Sequence, residues 1–336
     1  MTETAAQHSS AAPSTGGGTV LVVNPVKVDD ATAMLERVAR RSAELGLPVP
    51  RLVSTTEEDP GEGQARDAAA AGADLVLVAG GDGTVRAAAQ GLAHSGVPLG
   101  ILPQGTGNLL ARNLGIPQDD DEALDVALGG ADRTLDLGRL DDGTAFAVMA
   151  GAGFDALMMR EAPESLKSVI GWPAYIVGGI RGLRHRRVHL TLRLDDAPPR
   201  EAVVRTVLVG NVGRLQGGLQ LLPDATPDDG ALDVALVAPR SPADWIVLVA
   251  RGLTRRHKPD RRLELLRGRR IEVRTRRTEA RQVDGELIDD GRGFTAQIDP
   301  SALVVRVPRP PEDENAAPSS ADTPAHTPAH PPEPTP

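Results

Sequence analysis

Along the first third of the chain, short β-branched apolar runs alternate with stretches whose apolar residues recur at helical spacing. This pattern predicts strand 19–23, helix 30–45, strand 49–54, helix 62–72, strand 74–79, a helix from Val85 to Ala93, strand 97–102 and a helix from Leu109 to Leu114. Alternation of this kind belongs to an α/β unit whose ligand-binding turns sit at the C-terminal ends of parallel strands. From about residue 137 the texture changes to β-rich runs: Ala145–Ala150, Val188–Leu194, Val203–Asn211, Leu232–Val237, Ile271–Thr275, Gly293–Ile298 and Leu303–Val307. Helices are expected at 156–183 and 241–256, between strands of an antiparallel sandwich. The fold class read from this is a two-domain α/β plus β chain, with an α/β domain over 19–136 and a β-rich, sandwich-like domain over 137–307. The pattern leaves open whether the final strand returns to the first domain. Residues 1–18 and the Pro-rich 308–336 are too poor in apolar surface to order themselves, and flexible tails are expected.

Composition narrows the chemistry. The 336 residues contain no cysteine, which excludes disulfides, thiolate metal sites and a thiol nucleophile. Aromatics are 2 %, so few platforms exist for stacking nucleic-acid bases, and no nucleic-acid partner is expected. No apolar run approaches the ~18 residues of a membrane span, and the first residues lack a secretory leader pattern, so a cytoplasmic location is expected.

The strand at 74–79 runs into Gly80-Gly81-Asp82-Gly83-Thr84 and then into a helix. A glycine turn from strand to helix exposes N–H groups that can cradle phosphate oxygens at the positive helix end. The arrangement recurs at Pro103-Gln-Gly-Thr106-Gly-Asn108, which sets two such turns at one sheet edge. Neither a Walker A loop nor a Rossmann glycine fingerprint is present at this turn. The aspartate among the glycines is unusual, because a carboxylate repels phosphate unless it binds a cation or fastens the loop.

Further on, Asp284-Gly-Glu286 places two carboxylates in a β-rich region. Asp-Gly between strands is by itself most often a turn. The neighbouring Asp289-Asp290-Gly291 is the better hairpin candidate, however, and would leave Asp284 and Glu286 on one face of a strand. Thr226-Pro-Asp-Asp229-Gly-Ala231 offers a carboxylate flanked by carbonyls, which suits either a hard cation or an ordinary acidic turn.

The two glycine turns, the Val20–Pro25 strand and Asn-Pro turn, Leu222–Asp233, and Val283–Glu286 occur in the order and spacing of the diacylglycerol kinase catalytic-domain family, which this chain resembles. That family includes soluble bacterial lipid kinases and the sphingosine and ceramide kinases. The resemblance covers most of 19–306 and implies an active site in the cleft between two domains. It implies transfer of the ATP γ-phosphate to a lipid alcohol, with diacylglycerol the default acceptor. The general base falls on Glu286 or Asp284. Nucleotide contacts are implied from Asn24, Thr56 (with Thr55 beside it), Gly80, Gly81, Asp82, Gly83, Thr84, Val85, Arg86 and Thr106. A structural Mg²⁺ is implied on the Asp229 side chain and the carbonyls of Thr226 and Ala231, with Asp82 and Asp136 linked to it. The chain departs from the family's usual helix residues after the first glycine turn, where it has Arg86 and Ala88.

Two expectations follow for variants. Asp82→Ala, read as lying in a solvent-facing loop, should abolish transfer and spare the fold. Glu286→Gln should leave ATP affinity nearly unchanged.

Residues 251–281 carry twelve Arg and one Lys against four acids, a local net of +9 in a chain of net −9. Arg181, Arg184, Arg186, Arg187 and Arg193 form a second basic cluster. Such a face either is merely solvated or draws the protein peripherally onto the anionic inner membrane surface, at about 1 kcal/mol per residue near the surface. A homodimer is compatible with all of this. Competing readings are a NAD kinase-like enzyme, which explains only the first glycine turn, and a non-catalytic lipid- or nucleotide-binding homologue.

Overall fold

A computed structural model describes residues 17–153, 186–215, 219–254 and 261–310. The helix expected at 156–183 and nearly all of both expected tails lie outside these residues. The α/β part contains β1 (Thr19–Val23), α1 (Ala31–Glu44), β2 (Arg51–Ser54), α2 (Glu62–Ala70), β3 (Leu75–Gly80), α3 (Asp82–Leu92), β4 (Leu99–Pro103), α4 (Leu109–Asn113) and α5 (Asp120–Gly129). Strands β2, β1, β3 and β4 pair in parallel in that order. β1, β3 and β4 are buried along their whole length, as apolar runs in a covered parallel sheet must be. The sequence also announces its caps. Asp30 accepts the Ala33 N–H at the start of α1, and Asp119 accepts those of Asp121 and Glu122 at the start of α5.

Helix α3 begins at Asp82 rather than Val85. The glycine turn is therefore the helix's own first turn, and its polar residues ride on a rigid element.

The β-rich part contains β5 (Ala131–Leu140), β6 (Ala145–Phe146), β7 (Met149–Gly153), β8 (Val188–Leu194), β9 (Arg200–Val204), β10 (Thr206–Gly210), β11 (Leu232–Val237), α6 (Pro242–Thr254), β12 (Leu263–Gly268), β13 (Arg270–Val283) and β14 (Glu286–Val307). Two expected runs are divided. Ala145–Ala150 splits into β6 and β7, and Val203–Asn211 splits at Arg205, whose N–H goes to the Val237 carbonyl. Conversely, 293–298 and 303–307 belong to one strand. Asp299-Pro300 reads as a break, yet the chain only bulges there, with Ser301 at φ 51° and its N–H held by Asp136 at 2.7 Å.

That long strand answers the question left open by the pattern. β14 pairs with β13 over its first half and antiparallel with β5 over its second, and Val305 meets Leu99 of β4 in parallel. The main path of the 14-stranded sheet reads β12-β11-β10-β7-β13-β14-β4-β3-β1-β2, with β5 and β6 branching from β14 and β8 and β9 from β13. One apolar core surrounds the parallel strands. A second gathers Phe146, Leu192, Ile271 and Phe294 among the antiparallel ones.

Val305 is fully buried where β14 joins β4 and β5. Val305→Asp would bury an uncompensated charge costing several kcal/mol, a large part of a domain's ~5–15 kcal/mol stability. The variant should lose cooperative thermal unfolding by circular dichroism. A transition within a few degrees of the parent's would contradict this joint.

Candidate active site

The tip of β3 delivers Gly80 to the sheet edge, and Gly81 caps α3. A Cβ at Gly105 in the second turn would lie 2.8 Å from the Gly81 Cα, so glycine at 105 lets the two turns touch. Asp82 then fastens them. Its carboxylate accepts the N–H groups of Asn108 at 2.8 Å and Leu109 at 2.5 Å, at the start of α4. Burial pushes the Asp82 carboxyl up, and these two N–H groups pull it down. Asp82 therefore does not lie in a solvent-facing loop. It is half-buried and organises the second turn, so Asp82→Ala would disturb both turns together.

Asn24, at the end of β1, donates its side-chain N–H to the Thr84 hydroxyl at 2.9 Å and brings the Asn-Pro turn to α3. Thr84 and Val85 are buried, Val85 within the apolar core, while Thr106 is exposed at the tip of the second turn. Thr56 is exposed and its hydroxyl accepts the Asp59 N–H. Thr55 is the buried one, its N–H on the Val23 carbonyl at the end of β1.

Two further residues belong here. Asn108, in the left-handed region at φ 46°, exchanges side-chain hydrogen bonds with both backbone groups of Gly105. Lys27 follows the Asn-Pro turn, and its Cε lies 4.0 Å from where a Gly81 Cβ would stand. A cation so soon after Asn-Pro was the available signal for Lys27, and the quoted turn itself contained Asn108.

The expectation for Asp284 and Glu286 needs correcting. The hairpin between β13 and β14 turns at Asp284-Gly285, with Val283 paired to Glu286. Both turn residues have positive φ, 48° and 88°, the pattern of a two-residue type I′ turn. Asp289-Asp290-Gly291 lies inside β14, at an irregularity in its pairing with β13. The two carboxylates therefore do not share a strand face. Asp284 is 2 % exposed and accepts three backbone N–H groups, from Ala147, Val148 and Met149, at 2.8–2.9 Å. Ala147 and Val148 fill the gap between β6 and β7 and Met149 begins β7, which explains why the expected 145–150 strand divides. Glu286 instead is half-exposed and pairs with Arg86 of α3 at 2.8 Å. Its carboxylate lies directly over Gly83, where an added Cβ would stand 1.9 Å away.

Thr226, Asp229 and Ala231, on which a metal was expected, share one loop closed by the Asp229 side chain. Asp229 pairs with the Arg267 guanidinium, and it accepts the Thr226 hydroxyl at 2.6 Å and the Ala231 N–H at 3.2 Å. Asp136 is buried and holds the N–H groups of Gly230 and Ser301, both at 2.7 Å. Among the described residues no cluster of three or more His, Asp or Glu is placed to hold a metal, a pattern distinct from one carboxylate with two carbonyls.

The family model of the diacylglycerol kinase catalytic domain matches residues 19–140, and that of the YegS C-terminal NAD kinase beta sandwich-like domain matches 148–307. A diacylglycerol kinase of Bacillus subtilis is 30 % identical over 225 residues, covering 66 % of this chain and 74 % of that protein. One of Mycobacterium tuberculosis is 36 % identical over 179 residues. That match takes in 50 % of this chain and 56 % of the relative, so the chain spans just over half its length. In fold, a Bacillus anthracis diacylglycerol kinase structure superposes with a TM-score of 0.67 at 20 % identity, covering 86 % of this chain and 96 % of that one. The chain belongs to the diacylglycerol kinase catalytic-domain family.

Burial pushes the Asp284 carboxyl up to about 6, against its three N–H donors and nearby Arg86, which favour the charged form. Between its ordinary 3.8 and about 6 the folded chain keeps a proton that the unfolded chain releases. Stability through this group thus falls as pH rises across that window and is level above it. Asp284→Asn should remove this slope in pH-resolved denaturant melts. At neutral pH it should also cost about 1–3 kcal/mol, because an amide NH₂ would face backbone donors. A variant as stable as the parent, with the slope intact, would show that the three bonds carry no weight.

Proposed function

We propose that this chain is an ATP-dependent lipid kinase that transfers the γ-phosphate to a lipid hydroxyl, with diacylglycerol as acceptor and phosphatidic acid as product. The observation that carries the reading is the half-exposed Glu286 carboxylate held over the first turn of α3, at the mouth of two glycine turns that Asp82 ties together. Membership of the family supports it independently.

Phosphoryl transfer asks the protein mainly for positioning and charge neutralisation. The N–H groups that open α3 hold the phosphates, and Lys27 and Arg86 offset their charge. Glu286 takes the proton of the lipid hydroxyl while its oxygen bonds to the γ-phosphorus. The bond to the bridging oxygen breaks, and ADP leaves with that electron pair. Asp284, whose lone pairs are occupied by N–H donors, holds the hairpin rather than accepting the proton. Mg²⁺ arrives on the nucleotide phosphates as part of the substrate.

No helix among the described residues is long and apolar enough to cross a membrane. A peripheral approach to the anionic inner face is supported by Arg269, Arg270, Arg276 and Arg277, which are exposed on or beside β13. Part of the basic charge is neutralised within the chain, by pairs such as Arg276–Glu201 and Arg262–Asp244.

The test supplies labelled ATP and magnesium with vesicles that each carry one lipid alcohol: diacylglycerol, a sphingoid base or ceramide. Diacylglycerol should be labelled fastest. Glu286→Gln should lower kcat by about 10²–10⁴-fold, the usual contribution of a general base. Label on no lipid would overturn the kinase reading, and an undiminished kcat in the variant would remove Glu286 from its role.

A further inference from the structure

The pairing of Glu286 serves a purpose beyond orientation. Gly83 and Arg86 stand three residues apart on one face of α3, and the Glu286 carboxylate is bracketed between them, over the first and against the second. A carboxylate at the positive end of a helix occupies the kind of place that a phosphate oxygen takes. Arg86 is only 17 % exposed, and its Nε is buried without a hydrogen-bond partner among the described residues. One guanidinium N–H is spent on Glu286, and a ligand that displaced this carboxylate would find the buried Nε donor unpaired. A phosphate can take both, because its oxygens accept two guanidinium N–H groups side by side.

We propose that Arg86 is a positioning residue that couples nucleotide binding to the release of the base. This rests on the kinase reading above. Without nucleotide, Glu286 lies in the cradle as a stand-in anion, held by Arg86. The incoming phosphate displaces the carboxylate from Gly83 and takes the guanidinium. Glu286 is then free to turn toward the lipid hydroxyl only when a donor is in place. An ordinary surface ion pair would behave differently, because removing it would leave nucleotide affinity untouched.

The sequence-based expectation that Glu286→Gln leaves ATP affinity nearly unchanged is therefore replaced. The amide no longer competes as an anion and no longer holds Arg86, so the variant should bind nucleotide more tightly than the parent, by roughly three- to tenfold. Damage to the fold cannot produce tighter binding. Calorimetric titration of the full chain with magnesium and a non-hydrolysable ATP analogue measures this directly, without lipid or turnover. Arg86→Met should weaken binding by roughly tenfold or more, through loss of a charged hydrogen bond to phosphate. In the Arg86→Met background, Glu286→Gln should recover less of the affinity than it gives alone. Equal affinity in the parent and Glu286→Gln would overturn the coupling while leaving the kinase reading in place. Absence of nucleotide binding in the parent would overturn the kinase reading and the coupling with it. Glu286→Gln changes a half-exposed side chain, so its result stands even if Arg86→Met proves unstable.

Discussion

Everything at this site hangs on one buried carboxylate. Asp284 takes three backbone N–H groups, from Ala147 and Val148 between β6 and β7 and from Met149 at the start of β7, more than 130 residues earlier in the chain, and returns its own N–H to the Met149 carbonyl. A carboxylate at this depth is costly unless donors replace its water, and here three of them do. The result is a hairpin turn locked to the neighbouring strand through its side chain as well as its backbone. Because Glu286 begins the strand immediately after this two-residue turn, fixing Asp284 fixes where Glu286 starts. Glycine at 285 allows the second positive φ, and the type I′ twist then carries β14 out over α3.

Asp82 plays the matching part on the other side. It ties the two glycine turns through the amides that begin α4, and glycine at 105 lets the turns come into contact. Two aspartates that look like reactive groups in the sequence are thus both consumed in building. The carboxylate left half-exposed is Glu286, and it meets the α/β part through Arg86. The long β14 strand makes this meeting stable, since the same strand that presents Glu286 continues to Val305 and joins the parallel sheet.

Most of the α/β part was legible because covered parallel strands are continuous apolar runs and the helices between them keep their period and their caps. The glycine turns, Asp284 and Glu286 were legible as motifs. The use of their side chains was not. Spacing along a strand suggested a common face for Asp284 and Glu286, and only the tertiary donors at 147–149 decide that Asp284-Gly285 is the turn. The same donors hide in sequence the break between β6 and β7, since Ala147 and Val148 are apolar and read as strand. At Asp299-Pro300 the error ran the other way, because a bulge anchored by Asp136 lets one strand pass a proline. Arg267 beside Asp229 was equally invisible, since nothing in a stretch rich in arginine marks which one turns to a given acid.

Amide hydrogen exchange at Ala147, Val148 and Met149 tests the central claim most directly. Ala147 and Val148 lie between β6 and β7, Met149 begins β7, all three are buried, and their N–H groups go to the Asp284 carboxylate. The account requires protection close to that of the core strands, with opening free energies near that of global unfolding. Exchange at the rate of a solvated loop would mean that the carboxylate does not hold them, and the placing of Glu286 over the glycine turn would lose its foundation.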